Sequence, residues 1–163
     1  MKKILCVLGT ISLITTGSSN LIACDNKLFN YKLSSEELEK LKQKNSKTIN
    51  NNKLEWIVPQ EKPFKIADDK WYIVIWRISK NGGWNINKFI NWQNYNLQGI
   101  DLINNHRLYR TLNSLEIKKE PNYIISNWNN DDGTYFKSVY RWYGEKEPDI
   151  ILNLDYKTGE IKD

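Results

Sequence analysis

A single histidine, two cysteines and a few short acidic runs are what this 163-residue chain offers for acid–base, nucleophilic or metal chemistry. His106 stands in Asn104-Asn105-His106-Arg107. Alone it cannot build a histidine-based metal site, and general-base work would need a Ser or Thr nucleophile beside it. No Gly-x-Ser-x-Gly elbow, P-loop or Gly-x-Gly-x-x-Gly stretch supplies such chemistry, so His106 reads as a solvated helix or loop residue. Asn129-Asn130-Asp131-Asp132-Gly133 carries oxygen ligands of the kind calcium takes. It lacks the alternating acidic loop closed by a Glu, and is read as a hairpin tip, as is Asp68-Asp69. Glu145, Glu147 and Asp149 alternate along one stretch. Two carboxylates can act as acid and base in glycoside cleavage, but only when opposed across a cleft. A local run flanked by Lys146 and Pro148 reads as a solvated loop. Cys6 and Cys24 both lie in the first 24 residues, so the rest of the chain has no thiol, disulfide or thiolate metal site. The expectation is no catalytic constellation, no cofactor and no metal.

Aromatic side chains are the enriched feature. From Leu54 onward 18 residues are Trp, Tyr or Phe, including all seven tryptophans. Exposed Trp and Tyr make platforms for sugars, bases or protein partners. A small domain poor in Leu and Val would also build its core from them. Trp71, Trp76, Trp84 and Tyr140 fall on strong strand patterns and read as core. Tyr95, Trp128 and Tyr143 sit nearer predicted loops and are the candidate surface contacts.

The elements that must hold these residues are written unevenly. Ser34 with Glu37 forms a capping box, Leu33 and Leu38 occupy staple positions, and Glu36, Glu37 and then Lys40, Lys42 and Lys44 match the helix dipole. A helix of about three turns follows, with Leu38 and Leu41 as its only apolar stripe. Asn45 to Lys53 breaks that pattern, and residues 24–53 read as a flexible tether carrying a short helix. Lys70 to Ser79 is apolar on both faces and β-branched, which predicts a central strand covered on both sides. Asn81-Gly82-Gly83 signals a turn. Trp84, Ile86, Ile90 and Trp92 at even spacing suggest a second strand, although Ile86, Phe89 and Ile90 also fit a helix face. Leu108, Leu112 and Leu115 recur at helical spacing and place one helix within 104–115. Strands are expected at 122–128, 134–143, 150–154 and 156–161, the last two around a Lys157-Thr158-Gly159 turn. The fold class is therefore α+β: a small, mainly antiparallel sheet domain over 54–163 with one helix, preceded by the tether.

Before the tether lies a targeting signal. Met1-Lys2-Lys3 is a positive start, Ile4 to Ile14 an apolar stretch, and Thr15 to Asn20 a small polar one leading to Leu21-Ile22-Ala23-Cys24. The apolar stretch is well short of the roughly 20 residues that a spanning helix needs. The order Leu-x-Ala-Cys resembles the lipobox of bacterial lipoproteins. That resemblance implies a signal peptide over 1–23, cleavage between Ala23 and Cys24, and a diacylglyceryl group on the Cys24 thiol. Two acyl chains, at about 0.8 kcal/mol per buried methylene, anchor stably where one is marginal. Lys-Lys-Ile-Leu, the Leu-Gly-Thr-Ile-Ser-Leu-Ile core and the Ala-Cys-Asp start also look like lipoproteins of wall-less bacteria of the spiroplasma type. The C-terminal stretch from Tyr140-Arg141-Trp142-Tyr143-Gly144 to Thr158-Gly159-Glu160-Ile161 also looks similar to spiroplasma lipoproteins and phage-related proteins, a likeness that carries no known chemistry.

Charge excludes one class of partner. The chain carries +5 formally, and loss of Lys2 and Lys3 with the signal leaves 22 Lys+Arg against 19 Asp+Glu, or +3. Only four basic residues are Arg (Arg77, Arg107, Arg110, Arg141), the better reader of phosphate and bases. No nucleic-acid footprint is present. The Lys, Asn and Ile bias follows AT-rich codons. The expected protein is anchored through Cys24 to the extracytoplasmic face of the cell membrane and binds a protein or glycan partner at the surface. A carboxylate-dependent secreted hydrolase and a structural surface-coat component stand as alternatives.

Overall fold

Antiparallel sheets dominate the computed structural model, which describes residues 32–92, 97–148 and 153–162. Its one α-helix among them, α1 (Ser35–Asn45), starts where the capping box places it: Glu37 N–H donates to Ser34 Oγ at 3.3 Å and Ser34 N–H to Glu37 Oε2 at 2.9 Å. The sequence leaves the helix at Ser46, whose N–H closes on Lys42 O. The strands β1 (Lys47–Ile49), β2 (Asn52–Ile57), β3 (Trp71–Trp76) and β4 (Asn85–Ile90) follow, with a 3-10 turn at Pro59–Glu61. Next come β5 (Leu97–Ile103), β6 (His106–Thr111), β7 (Leu115–Lys119), β8 (Tyr123–Asn127) and β9 (Phe136–Trp142). A hairpin of β10 (Asn153–Asp155) and β11 (Glu160–Lys162) ends the described chain.

The central sheet has the order β1-β2-β9-β3-β4, with every pair antiparallel. One face packs on the second sheet, β5-β6-β7-β8, through Val74, Trp76, Phe89, Leu108, Leu115, Ile117 and Val139. The other face packs Ile73, Ile75, Trp56 and Trp142 under α1 and the β10–β11 hairpin, through Leu38, Leu41, Leu154 and Ile161. Three layers explain why Trp71–Trp76 is apolar at every position: both of its faces are interior. Each such side chain contributes about 1.5–3 kcal/mol on leaving water.

Two sequence expectations are corrected here, and Asn-Asn pairs account for both. The helix expected within 104–115 is the β5–β6 hairpin and the start of β7. Asn104 and Asn105 take φ 47° and 62°, a left-handed pair that short amide side chains tolerate and that closes a tight hairpin between Ile103 and His106. Leu108 and Leu115 then point inward from neighbouring strands, and their helical spacing is incidental. Likewise Asn50 and Asn51 (φ 49° and 62°) turn β1 into β2, with Lys47 opposite Leu54. Residues 47–53 are therefore strand and turn, not a flexible spacer. The folded unit begins at α1 instead of Leu54, because Lys42 pairs with Glu55 and Glu61, and Leu33 and Gln60 exchange two hydrogen bonds. The preference for a strand over a helix at 84–92 is realised as β4.

Candidate functional site

The register sets three side chains abreast on the face of the central sheet that meets the second sheet. Glu55 on β2 lies opposite Arg141 on β9, which lies opposite Tyr72 on β3. Two residues inward, the same face carries Ile57, Val139 and Val74, all buried. One step outward from the strand pairing, Tyr143 N–H donates to Lys53 O at 3.0 Å. Two ammonium groups stand over the Tyr143 ring there, Lys53 Nζ at 5.5 Å from its centroid and Lys70 Nζ at 5.2 Å. The face thus grades from apolar core, through an ionic row, to a cationic and aromatic rim.

The ionic row is continuous and alternates in sign. Arg141 lies 3.5 Å from Glu55 Oε2 and 3.5 Å from Asp68 Oδ2, and its Nε donates to Tyr72 Oη at 2.9 Å. Tyr72 in turn donates to Asp68 Oδ2 at 2.8 Å. Lys42 of α1 bridges Glu55 at 3.2 Å and Glu61 at 2.5 Å. On the other side, Asn91 donates to Asp68 Oδ1 and accepts from Arg110, which also donates to Gln98 on β5. Asn91 and Arg110 are fully buried, so each of these bonds replaces one lost to water. The network ties α1, the central sheet and the second sheet together, and it fixes the Tyr143 phenol, whose hydroxyl donates to Glu55 Oε2 at 2.8 Å.

Burial pushes the Glu55 carboxyl up, but the hydrogen bonds from Tyr143 and Lys42 and the charges of Lys42 and Lys53 outweigh it and hold the group below the usual carboxylate range. Lys42 shows the converse. Burial lowers its pKa, and Glu61 and Glu55 more than restore it, so it ends above the ordinary lysine value. A depressed folded-state carboxyl stabilises the protein above its unfolded pKa, and that contribution disappears as pH falls through the folded one. The urea midpoint of the wild type should therefore drop steeply in acid. Glu55→Gln should start about 2 kcal/mol lower at neutral pH and show a flatter acid limb. Parallel acid limbs in the two proteins would mean that Glu55 is not the group responsible.

Beyond Trp142 the chain turns sharply over the indole. Trp142 Nε1 donates to Lys146 O at 3.0 Å, and a Cβ on Gly144 would stand 2.3 Å from that nitrogen, so only glycine fits the turn. A cleft of about 560 Å³ opens here, lined by Asn50, Asn52, Tyr143, Gly144, Glu145 and Glu147 among others. No protein-family model, curated protein or solved structure matches this chain.

Of the residues singled out in the sequence, Tyr143 is at the site and 42% exposed. Trp128 is not a surface contact. Its N–H donates to Leu115 O, which extends the β7–β8 pairing and turns the ring inward against Phe64, leaving it 3% exposed. Tyr95, Ala23 and Cys24 lie outside the described residues, as does Asp149. His106 begins β6, half-buried, with Nδ1 2.8 Å from Asn104 O. Asp131 is buried and accepts from Ser126 Oγ and the N–H groups of Gly133, Tyr135 and Phe136, so its oxygens hold the loop together. Glu147 pairs with Lys88 at 2.8 Å, and Glu145 is exposed on the same loop. Among the described residues, no three His, Cys, Asp or Glu side chains are grouped to hold a metal ion.

Sequence reasoning missed the ionic row. Its signal was present as a charged residue inside an otherwise apolar strand: Glu55 in Leu-Glu-Trp-Ile, Arg141 in Val-Tyr-Arg-Trp and Arg110 in Leu-Tyr-Arg-Thr. A charge at such a position must be paired within the fold.

Proposed function

We propose that this chain is a lipoprotein, anchored through acylated Cys24 at the extracytoplasmic face of the cell membrane, whose domain recognises a protein or glycan partner. The anchor rests on the order Leu21-Ile22-Ala23-Cys24 behind a short basic and apolar leader. Among the described residues no helix is long and apolar enough to cross a membrane. Recognition rests on one observation: Tyr143 is half-exposed at the rim of a cleft, yet fixed by Glu55 through its hydroxyl and flanked by Lys53 and Lys70. An aromatic ring already ordered before contact loses little entropy on binding, which is what a hot spot requires. Against hydrolysis, Glu55 and Asp68 are taken up by cations and a phenol, and of Glu145 and Glu147, two residues apart on one loop, the second is paired with Lys88.

The test is an array of surface polysaccharide fragments and secreted proteins probed with the mature chain. Tyr143→Ala should weaken a bound partner by about tenfold or more, since hot-spot aromatics contribute 2 kcal/mol and above. Its stability should fall by about 1–2 kcal/mol, since the hydroxyl's bond to Glu55 is lost. Trp128→Ala, by contrast, should cost about 3–5 kcal/mol of stability. A partner that binds Tyr143→Ala as tightly as wild type refutes the site. Turnover of a glycoside or ester that disappears in Glu145→Gln or Glu147→Gln refutes recognition itself.

A further inference from the structure

Near the point where the chain enters the domain, one loop carries an exposed apolar tip between lysines. Leu33 N–H donates to Gln60 Oε1 at 2.9 Å and Gln60 Nε2 donates to Leu33 O at 3.3 Å, so the chain enters the fold beside the 3-10 turn Pro59–Glu61. The loop that follows is held rigidly. Phe64 is fully buried against Tyr72 and Phe89, and Asn91 Nδ2 donates to Ile66 O at 3.0 Å. Yet Ile66 is 72% exposed, more than any other large apolar side chain among the described residues. Lys62 and Lys65 are exposed beside it on the loop, and Lys32 is exposed at the tether's entry. Of the acids near the loop, Glu61 is paired with Lys42 and Asp68 with Arg141, and Asp69 is exposed; on α1, just past the tether's entry, Glu36 is paired with Lys40, Glu37 holds the capping box and Glu39 is exposed. An apolar tip with surrounding ammonium groups, on a fixed loop, matches a surface of acyl chains beneath anionic headgroups.

The chain between anchor and domain is short. Eight residue steps separate Cys24 from Lys32, and at no more than about 3.5 Å each they reach at most about 28 Å. Resting on the lipid-anchor reading, we infer that the Lys62–Ile66 loop docks on the anionic bilayer surface beside the anchor, with Ile66 entering the headgroup region. The anchor supplies retention, and the loop sets the orientation of the domain.

The mature acylated chain has no free thiol, so a single cysteine can carry an environment-sensitive fluorophore. Tyr156 is the control site. It is 66% exposed, and its carbonyl holds Trp84 N–H at the opposite end of β4 from Asn91, roughly 20 Å away along the strand. With the acylated protein in phosphatidylcholine vesicles containing phosphatidylglycerol and a nitroxide-bearing lipid, a label on Ile66→Cys should be quenched at least about threefold more than one on Tyr156→Cys. Adding Lys62→Glu and Lys65→Glu, or omitting phosphatidylglycerol, should remove most of that difference. Equal quenching at the two sites on vesicle-bound, acylated protein overturns the docking and leaves the anchor standing. A difference that survives both charge reversal and neutral vesicles overturns recognition of the anionic surface. A mature chain with no acyl group overturns the anchor, and the docking with it.

Discussion

Replacing Ile75 with Asp should leave no cooperatively folded protein. Ile75 is fully buried in the middle of the central sheet, opposite Ile86 on one neighbouring strand and Ser138 on the other. Its side chain points into the layer formed by Trp56, Trp84, Tyr140 and Trp142 beneath α1. A carboxylate placed there is enclosed by these apolar rings, and burying one unpaired costs several kcal/mol. That is comparable to the roughly 5–15 kcal/mol that holds an ordinary domain folded. Ile75→Val removes one methylene and should cost only about 1 kcal/mol, which separates loss of packing from burial of charge. Circular dichroism melting of the two variants decides it. A soluble Ile75→Asp protein with a sharp transition would show that this face of β3 meets solvent.

The reading of β3 succeeded because burial on both faces leaves a mark that local sequence cannot hide: six consecutive apolar residues, too short for a helix of that hydrophobicity. The start of α1 was equally legible, since a capping box is a local device. What failed was non-local. Leu108, Leu112 and Leu115 imitate a helical stripe, and only the left-handed Asn104-Asn105 pair, which closes a hairpin, separates the two patterns. Asn50-Asn51 misled in the same way, because an Asn-rich stretch reads as linker until its flanks are seen to pair as strands. Trp128 was misplaced because it lies one residue beyond β8 and beside a polar loop, while its ring belongs to the core around Phe64.

The site shows the same division. Tyr143 could be named from its place next to a loop, but its partners could not, since Glu55 is 88 residues away and reaches it only through the β2–β9 register. Lys42, Glu61, Asp68 and Arg110 join the same network from four further segments. Lys42, Glu61 and Asp68 each look like an ordinary solvated charge in their own surroundings, whereas Arg110 stands among apolar strand residues. The register makes them one row, and the row is what holds an exposed ring still.

Everything proposed about location depends on one sulfur atom. Cells expressing the wild-type chain and fed labelled fatty acid should incorporate label into a protein whose mature N-terminus is Cys24. The two acyl chains then add about 0.8 kcal/mol of membrane affinity per buried methylene. Cys24→Ser removes the thiolate that is alkylated, since a serine hydroxyl is a far poorer nucleophile at neutral pH. The variant should carry no label, accumulate with residues 1–23 uncleaved, and show at least about a hundredfold less of the mature membrane-bound form. Mass spectrometry of the N-terminal peptide reads both events at once. The account predicts a diacylglyceryl-modified Cys24 peptide in the wild type and an intact Met1-containing peptide in Cys24→Ser. Equal labelling of the two proteins, or a wild-type chain with an unmodified Cys24, would contradict it.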